Sequence, residues 1–293
     1  MVVGIVSTDT MDFAEQSNSP RLSRQAATRR LFFRLCGGVV AATLGQGFLE
    51  PLEVEARAFD VPLPHLPAAL DGLKVAQLTD PHRGNLTPDV VIQSAVQLAA
   101  AWEPDLVVLT GDYVRWDPAN TVPFAKMLAP LKPRLGIVGI LGNHDYENPD
   151  WVASILTRHA RVTMLRNAST ELAPGLWVAG IEDTLKGIPD AAVALHSVPE
   201  AAALLFLTHN PVGVRYVTQR PCLALAGHTH GGQIRVPGLP PHYPPGMEGF
   251  PQIDGWGNYD QARLYISRGI GCIGHRIRLN CPPEVTLFTL RAT

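Results

Sequence analysis

The chain has 293 residues, of which 46% are hydrophobic, and a net charge of -2. This length allows one large domain or two small ones around a sizeable hydrophobic core. Because the charge shows no basic excess, we expect no specific binding of nucleic acid.

Residues 1–58 are predicted to form a disordered N-terminus and an export signal, and not part of the fold. A polar segment precedes Arg29-Arg30, and residues 35–48 then carry no charged side chain. Paired arginines before a modest apolar stretch resemble a twin-arginine signal. Ala56-Arg57-Ala58 is a candidate cleavage site, and cleavage there would leave residues 59–293 as the mature domain.

This signal also predicts a location. The twin-arginine translocase would be a partner during export, and the protein would work in the periplasm or at the outer face of the cell membrane. The apolar run is shorter than the about 20 residues that span a bilayer. An uncleaved anchor, with membrane association, is the alternative.

Apolar runs alternate with helical patterns through the middle of the chain. Strands are predicted at residues 73–79, 106–110, 136–140, 162–165, 176–180, 204–208 and 223–226. Helices are predicted at residues 88–102, 121–131 and 150–159. Alternation predicts antiparallel strands at residues 263–267, 276–280 and 284–291. The predicted fold class is α/β, in layers of the α+β kind, with mixed sheets and flanking helices.

The predicted mature domain contains Cys222, Cys272 and Cys281. An odd number of cysteines without a C-x-x-C pair argues against a zinc–cysteine site. In an oxidising compartment Cys272 and Cys281 could form a disulfide. Buried free thiols are the alternative.

Polar residues follow five of the predicted strands in succession. The segments are Asp80-Pro81-His82, Gly111-Asp112, Gly142-Asn143-His144-Asp145, His209-Asn210 and Gly227-His228-Thr229-His230. In α/β sheets, ligands bind at the carboxyl ends of the strands. Any one segment has an ordinary explanation as a helix cap or a solvated loop, but five together indicate a site.

Seven of these side chains are candidate metal ligands. They are Asp80, His82, Asp112, Asn143, His209, His228 and His230. Carboxylate, imidazole and amide oxygen without thiolate suit divalent Mn, Fe, Zn or Co. Seven ligands exceed one zinc-like site and match two divalent metal ions that share a carboxylate. Such pairs, about 3.5–4 Å apart, hold the attacking and leaving oxygens of a phosphoryl displacement.

In this order the motifs resemble those of the calcineurin-like metallophosphoesterases, over residues 72–291. Residues 208–211, 231–233, 267–271 and 280–284 resemble the twin-arginine-exported bacterial phosphodiesterase branch of that superfamily. The resemblance implies a four-layered β-sandwich of mixed sheets flanked by helices, with a dinuclear metal centre at the strand ends.

The resemblance also implies a role for each candidate residue. One ion would be held by Asp80, His82, Asp112 and His230, and the other by Asp112, Asn143, His209 and His228. His144 would contact the phosphate and protonate the leaving oxygen, and Asp145 would orient His144. A hydroxide that bridges the ions would attack phosphorus.

Further residues could contact the substrate. Arg83 and Asn85 follow the first motif and are candidate substrate-binding residues. Arg115 stands where the family often has another Asp, and it is either an exposed loop residue or a substrate contact. Residues 237–256 form a Pro-, Gly- and aromatic-rich loop directly after the last His ligands. Their apolar lip for a lipid-linked substrate would consist of His242, Tyr243, Met247 and Phe250.

The sequence therefore predicts a metal-dependent phosphoric ester hydrolase with its catalytic domain in residues 59–293. Diesters are favoured over monoesters, and the substrate could be a small phosphate ester, a phospholipid or a cell-wall polymer. The alternatives are a phosphomonoesterase and a non-catalytic interaction module of the same fold. Scaffolds typically lose the acid histidine or several ligands, so the presence of His144 and the full ligand set argues for an enzyme.

Overall fold

The computed structural model describes residues 45–84 and 86–293. The twin-arginine motif, most of the predicted signal and Asn85 lie outside these ranges. Among the helices of the described ranges, none has the length and apolarity that a bilayer crossing requires.

The described residues form two six-stranded sheets with helices on their outer faces. The strands are β1 (Glu55–Pro62), β2 (Leu73–Leu78), β3 (Leu106–Leu109), β4 (Ile137–Gly139), β5 (Val162–Met164), β6 (Ala168–Ala173), β7 (Leu176–Gly180), β8 (Ala203–Leu207), β9 (Cys222–Ala226), β10 (Gly255–Tyr259), β11 (Ala262–Ile266) and β12 (Glu284–Arg291). The flanking helices are α1 (Asp89–Ala101), α2 (Thr121–Met127), α3 (Pro149–Ala160) and α4 (Ala191–Leu195).

The first sheet has the strand order β1-β12-β2-β3-β4-β5. β2 to β5 run parallel, and β12 is antiparallel to β2 but parallel to β1. All four residues of β3 are apolar and buried, as expected of a parallel strand that is covered on both faces.

The second sheet has the order β10-β11-β9-β8-β7-β6. β11, β9, β8 and β7 run parallel, and the edge strands β10 and β6 are antiparallel to their neighbours. Both sheets are therefore mixed, as predicted.

Three hydrophobic clusters separate the layers. One lies between the sheets, with Val75 of the first sheet and Leu205 of the second among its members. Another packs the first sheet against α1, α2 and α3, and the third covers the second sheet with α4 and residues near Phe250. The order of helices, sheet, sheet and helix confirms the predicted four-layered sandwich.

The first strand begins inside the predicted signal. β1 starts at Glu55 and pairs with β12 along its whole length. Upstream of β1, the Glu50 carboxylate accepts hydrogen bonds from the backbone N–H groups of Asn280 and Cys281. The predicted boundary between residues 58 and 59 thus falls within β1. Cleavage after Ala58 stays a prediction, and it would remove the first half of this strand.

The predicted strand at residues 276–280 is wrong. These residues form a loop, in which Leu279 makes an isolated bridge. The physical reason is Arg278, whose fully buried guanidinium donates to the carbonyl oxygens of Gly271 and Arg268. The alternating pattern at residues 276–280 therefore arises from the burial of Arg278 in a loop, and these residues do not form a strand of a sheet.

The other predicted elements agree with the structure to within a few residues. The exception among them is α2, which ends at Met127 and not at residue 131. Three strands were not predicted, namely β1, β6 and β10. β10 begins at the end of the Pro- and Gly-rich segment 237–256, whose composition predicted a loop.

The cysteines of the described ranges are free and buried. This supports free thiols over a bridge between Cys272 and Cys281. Both thiols lie near the guanidinium of Arg278, and burial raises the pKa of each above its usual value.

Candidate metal centre

The polar segments that follow five strands meet at the carboxyl ends of these strands. β2, β3 and β4 are parallel neighbours in the first sheet, and β8 and β9 are parallel neighbours in the second. Their carboxyl ends carry histidine and aspartate side chains whose ligand atoms form common clusters. The fold therefore brings together residues that are up to 150 positions apart in the chain, from Asp80 to His230.

Five candidate ligands occupy the left-handed region of backbone space. Their φ angles are 53° for Asp80, 43° for His82, 55° for Asp112, 71° for His228 and 50° for His230. Residues other than glycine rarely adopt these angles, and such backbone strain concentrates at functional sites. Contacts between neighbouring loops maintain this backbone conformation, since the His82 N–H donates to the Asp112 carbonyl oxygen at 3.0 Å.

Asp80, His82 and His230 form the first group of candidate ligands. The Nε2 atoms of the two histidines are 3.0 Å apart, and Asp80 Oδ1 lies 3.8 Å from His82 Nε2 and 3.5 Å from His230 Nε2. His230 Nδ1 faces the carbonyl oxygen of Gly271 at 3.2 Å, which places the proton on Nδ1 and leaves Nε2 as a ligand atom. Two imidazole nitrogens and a carboxylate oxygen thus converge.

Asp112, His209 and His228 form the second group. His209 Nδ1 lies 2.7 Å from the carbonyl oxygen of Thr110, so its Nε2 carries the lone pair. His228 Nε2 lies 3.1 Å from the carbonyl oxygen of Pro245, which leaves Nδ1 as its ligand atom.

Asp112 lies between the two groups. Its Oδ2 is 3.4 Å from His82 Nε2 and 3.1 Å from His209 Nε2. Its Oδ1 accepts a hydrogen bond from the backbone N–H of His144 at 2.7 Å. A carboxylate between two sets of imidazoles has the position of a ligand that two cations share.

An unpaired buried acceptor shows that these residues fit a divalent metal centre. Asn143 Oδ1 is buried and has no hydrogen-bond partner within the described residues, and His209 Nε2 faces the Asp112 carboxylate at 3.1 Å. Buried polar atoms are normally paired, so an unpaired acceptor in the loop beside a shared carboxylate indicates that its partner is a cation. Asn143 is thereby a further candidate ligand.

Burial controls the protonation of the histidines. It lowers the pKa of His82 to about 3 and that of His228 to about 4, and it holds the pKa of His230 well below the usual range. Neutral imidazole is the form that binds metal. Burial also opposes a charge on His209, but the Asp112 carboxylate outweighs it and raises the pKa of His209 well above its usual value.

Asp145 holds backbone N–H groups and not the imidazole of His144, which corrects the role that the resemblance implied. Its Oδ2 accepts from the N–H groups of Asp112 at 2.8 Å and Gly142 at 2.9 Å, and its Oδ1 accepts from that of Tyr113 at 3.0 Å. Asp145 therefore positions the loop of the shared ligand. His144 is half-buried and lines the cavity over the site.

The structure distinguishes the two arginines near the site. Arg83, a predicted substrate contact, donates to Asn120 at 2.6 Å and to Asp89 at 3.0 Å, so its guanidinium already has partners. Arg115, for which an exposed loop position was one interpretation, is half-buried and lines the cavity. Asn85 lies outside the described residues.

Two supporting residues were not predicted. The Thr79 hydroxyl donates to Asp80 Oδ2 at 2.7 Å, and its place directly before the first motif was a usable signal. Asp183 is fully buried and accepts from the N–H groups of Leu185 and Lys186, each at 2.9 Å. This turn shapes the cavity wall, and no motif surrounds it.

A cavity of about 770 Å³ opens over the candidate ligands. Its polar side includes Asp112, Arg115, Asn143 and His144. Another part of its lining is apolar and basic, and comprises Leu185, Lys186, Ile234, His242, Pro244, Pro245 and Ile273. The cavity can therefore accept a molecule that has both an anionic and an apolar part.

Only part of the predicted apolar lip lies at the cavity in the structure. His242 lines the cavity, and Tyr243 is partly exposed nearby. Met247 and Phe250, however, are buried in the core against the second sheet, which corrects their prediction as cavity residues. The loops that border the cavity form its rim. There Gln233, within a predicted motif, links two loops by donating to the carbonyl oxygens of Ile273 at 2.9 Å and His275 at 3.0 Å.

The fold and the candidate ligands define a class of phosphoesterases. Residues 73–232 match the model of the calcineurin-like phosphoesterase family, and the chain belongs to this family. The matched segment contains every candidate metal ligand.

Relatives match nearly the whole chain. The metallophosphoesterase YkuE of Bacillus subtilis is 29% identical over 93% of this chain and 99% of its own length. The phosphodiesterase YaeI of Escherichia coli is 30% identical over 90% and 99%, respectively. The UDP-2,3-diacylglucosamine pyrophosphatase LpxG of Chlamydia muridarum is 24% identical over 82% and 90%. The protein is thus a metal-dependent phosphoric ester hydrolase, and the alternative of a non-catalytic module is set aside.

Proposed function

We propose that the protein is a phosphodiesterase with a dinuclear metal centre. The position of Asp112 carries this proposal, because its carboxylate lies between two groups of candidate ligands. The first group would hold one ion with Asp112, and the second group with Asn143 would hold the other. The diester preference is supported by the name of the relative YaeI.

The residues of the chain would divide the work of hydrolysis. When bound, two divalent ions supply Lewis-acid stabilisation of the phosphoryl oxygens and lower the pKa of water. The oxygen of water becomes bonded to phosphorus, the ester P–O bond breaks, and the leaving oxygen takes a proton. His144 lines the cavity beside the shared ligand and is the donor of that proton. Burial lowers the pKa of His144, and an anionic phosphate beside it would oppose this shift.

Hydrolysis of bis-p-nitrophenyl phosphate tests the proposal. The purified protein should lose activity with a chelator and regain it with Mn²⁺, Zn²⁺, Co²⁺ or Fe²⁺. His144→Ala should keep its metal and lose about 10²-fold in rate on an alkyl diester, which has a poor leaving group. His159→Ala, at an exposed histidine on α3, is the matched control. A chelated protein with full activity, or a faster monoester than diester reaction, would contradict the proposal.

The substrate class that fits the cavity is an amphiphilic phosphodiester, such as a phospholipid or a lipid-linked cell-wall polymer. Leu185, Ile234 and Ile273 offer an apolar wall within the cavity that contains His144, and Lys186 adds a positive charge. The lipid-linked substrate in the name of LpxG supports this choice. A series of diesters with lengthening alkyl arms should show a rising kcat/KM. A kcat/KM that does not change with the length of the arm would refute a role of the apolar wall in substrate binding.

The proposed location is the periplasm or the outer face of the cell membrane, reached through the twin-arginine translocase. This proposal rests on the paired arginines and the uncharged stretch that follows them. Replacing Arg29-Arg30 by Lys-Lys should retain the protein in the cytoplasm, as cell fractionation would detect. Membrane association is part of the same proposal, and flotation with vesicles would test it.

A further inference from the structure

Arg115 lies three residues after the shared ligand, on the loop that follows β3. The backbone of this loop is fixed, since the Arg115 N–H donates to the carbonyl oxygen of Arg83 at 3.2 Å. The side chain lines the same cavity as Asp112, Asn143 and His144. A cation thus lies at the polar side of the cavity, next to the residues proposed to bind and protonate the substrate.

The guanidinium of Arg115 has unused hydrogen-bonding capacity. Its Nε and Nη1 atoms are buried and have no hydrogen-bond partner within the described residues. Arg83, on the adjacent loop, also has an unpaired Nε, but both of its Nη atoms have partners, in Asn120 and Asp89. Buried donors are normally satisfied, so the free donors of Arg115 indicate a partner from outside the chain.

The charges and the stacking around Arg115 favour an anion over a neutral partner. The guanidinium carbon lies 4.6 Å from the ring centre of Trp116, and this stacking restricts the plane of the donors. Its positive charge lies in the cavity that the candidate ligands Asp112 and Asn143 also line. A planar fork of donors beside metal ligands matches the tetrahedral oxygens of a phosphoryl group.

We propose that Arg115 binds the non-bridging oxygens of the scissile phosphoryl group and holds it against the metal centre. This inference rests on the proposed function, because it assigns a contact within the same site. Inorganic phosphate presents the same oxygens, so its binding to the protein should also depend on Arg115.

Phosphate binding by the metal-loaded protein tests Arg115 directly. Arg115→Ala should keep the metal content of the parent and weaken binding of inorganic phosphate by about tenfold or more, measured by calorimetry. Arg115→Lys should restore part of the affinity, because it keeps the charge but loses the fork. Arg158→Ala, at an exposed arginine on α3, is the matched control and should bind phosphate like the parent.

Turnover gives a second readout. Arg115→Ala should lower kcat/KM for diesters by about 10²-fold. If phosphate affinity and kcat/KM are unchanged in Arg115→Ala while His144→Ala loses turnover, the role of Arg115 is overturned and the proposed function stands. If the parent turns over no phosphodiester, the proposed function fails. In that case a loss of phosphate affinity in Arg115→Ala would still support the contact, and an unchanged affinity would refute it.

Discussion

The strand ends and the loops around the cavity position their side chains in different ways. The strand ends are buried and tied to one another, as where Asp145 accepts from the backbone of Asp112 and Tyr113. The rim depends on individual side chains, such as Gln233 with Ile273. The sheets therefore fix the candidate metal ligands, and the loops shape the wall of the cavity. Changes at the strand ends should affect every substrate, whereas changes in the rim should alter preference among substrates.

The largest effect is expected at the shared ligand. Asp112→Ala should lower turnover of all phosphodiesters by on the order of 10³-fold, because both proposed ions would lose a ligand. Metal analysis of the dialysed protein should show reduced content. Asp150→Ala removes an exposed carboxylate and is the control. Full metal content in Asp112→Ala would show that Asp112 is not a ligand.

Gly142→Ala tests how precisely the strand ends are set. A Cβ atom at this position would collide with the carboxylate and the backbone N of Asp112. We expect a loss of about 10²-fold in kcat, since a displacement of about 1 Å can have this effect. Thr157→Ala, at an exposed position on α3, is the control. Unaltered kinetics would mean that the Asp112 loop can move without consequence.

A smaller and selective effect is expected in the rim. Leu185→Asn places a polar group of similar size in the apolar wall. It should lower kcat/KM about tenfold for a diester with a long alkyl arm and leave bis-p-nitrophenyl phosphate nearly unchanged. Ile188→Asn, on the same loop but 80% exposed, is the control. Equal losses on both substrates would indicate damage to the metal centre and would break the distinction between the two regions.

The smallest effect is expected at Arg83. Its ion pair with Asp89 is partly exposed, so Arg83→Ala should cost about 0–1 kcal/mol of stability. Diester turnover should stay within about twofold of the parent, because the guanidinium is engaged by Asn120 and Asp89. Thermal unfolding and steady-state rates measure both quantities. A large loss of turnover would restore Arg83 as a substrate contact.

Sequence reasoning succeeds where local pattern and tertiary position coincide. Asp80, Asp112 and His209 follow apolar strands directly, and parallel pairing then brings their carboxyl ends together. The convergence of the candidate ligands could therefore be predicted from motifs. The layered fold followed from the same alternation of strands and helices.

Prediction from sequence fails where a side chain is positioned by residues distant in the chain. Asp145 is adjacent to His144 in sequence, yet its carboxylate faces the loop of Asp112, 33 positions away. The partners of Arg83 and the free donors of Arg115 depend on how two loops meet. The buried guanidinium of Arg278 likewise gave an alternating pattern that predicted a strand.

The placement of β12 affects how the chain can fold. β12 is the last strand in sequence, but it lies between β1 and β2 in the first sheet. Until residues 284–291 leave the ribosome, β1 has no strand beside it and β2 presents an unpaired edge. Synthesis adds about 5–20 residues per second, so this exposed edge persists while the rest of the domain is made. Completion of the first sheet is thus a late event, and premature termination leaves an edge that can pair with other chains.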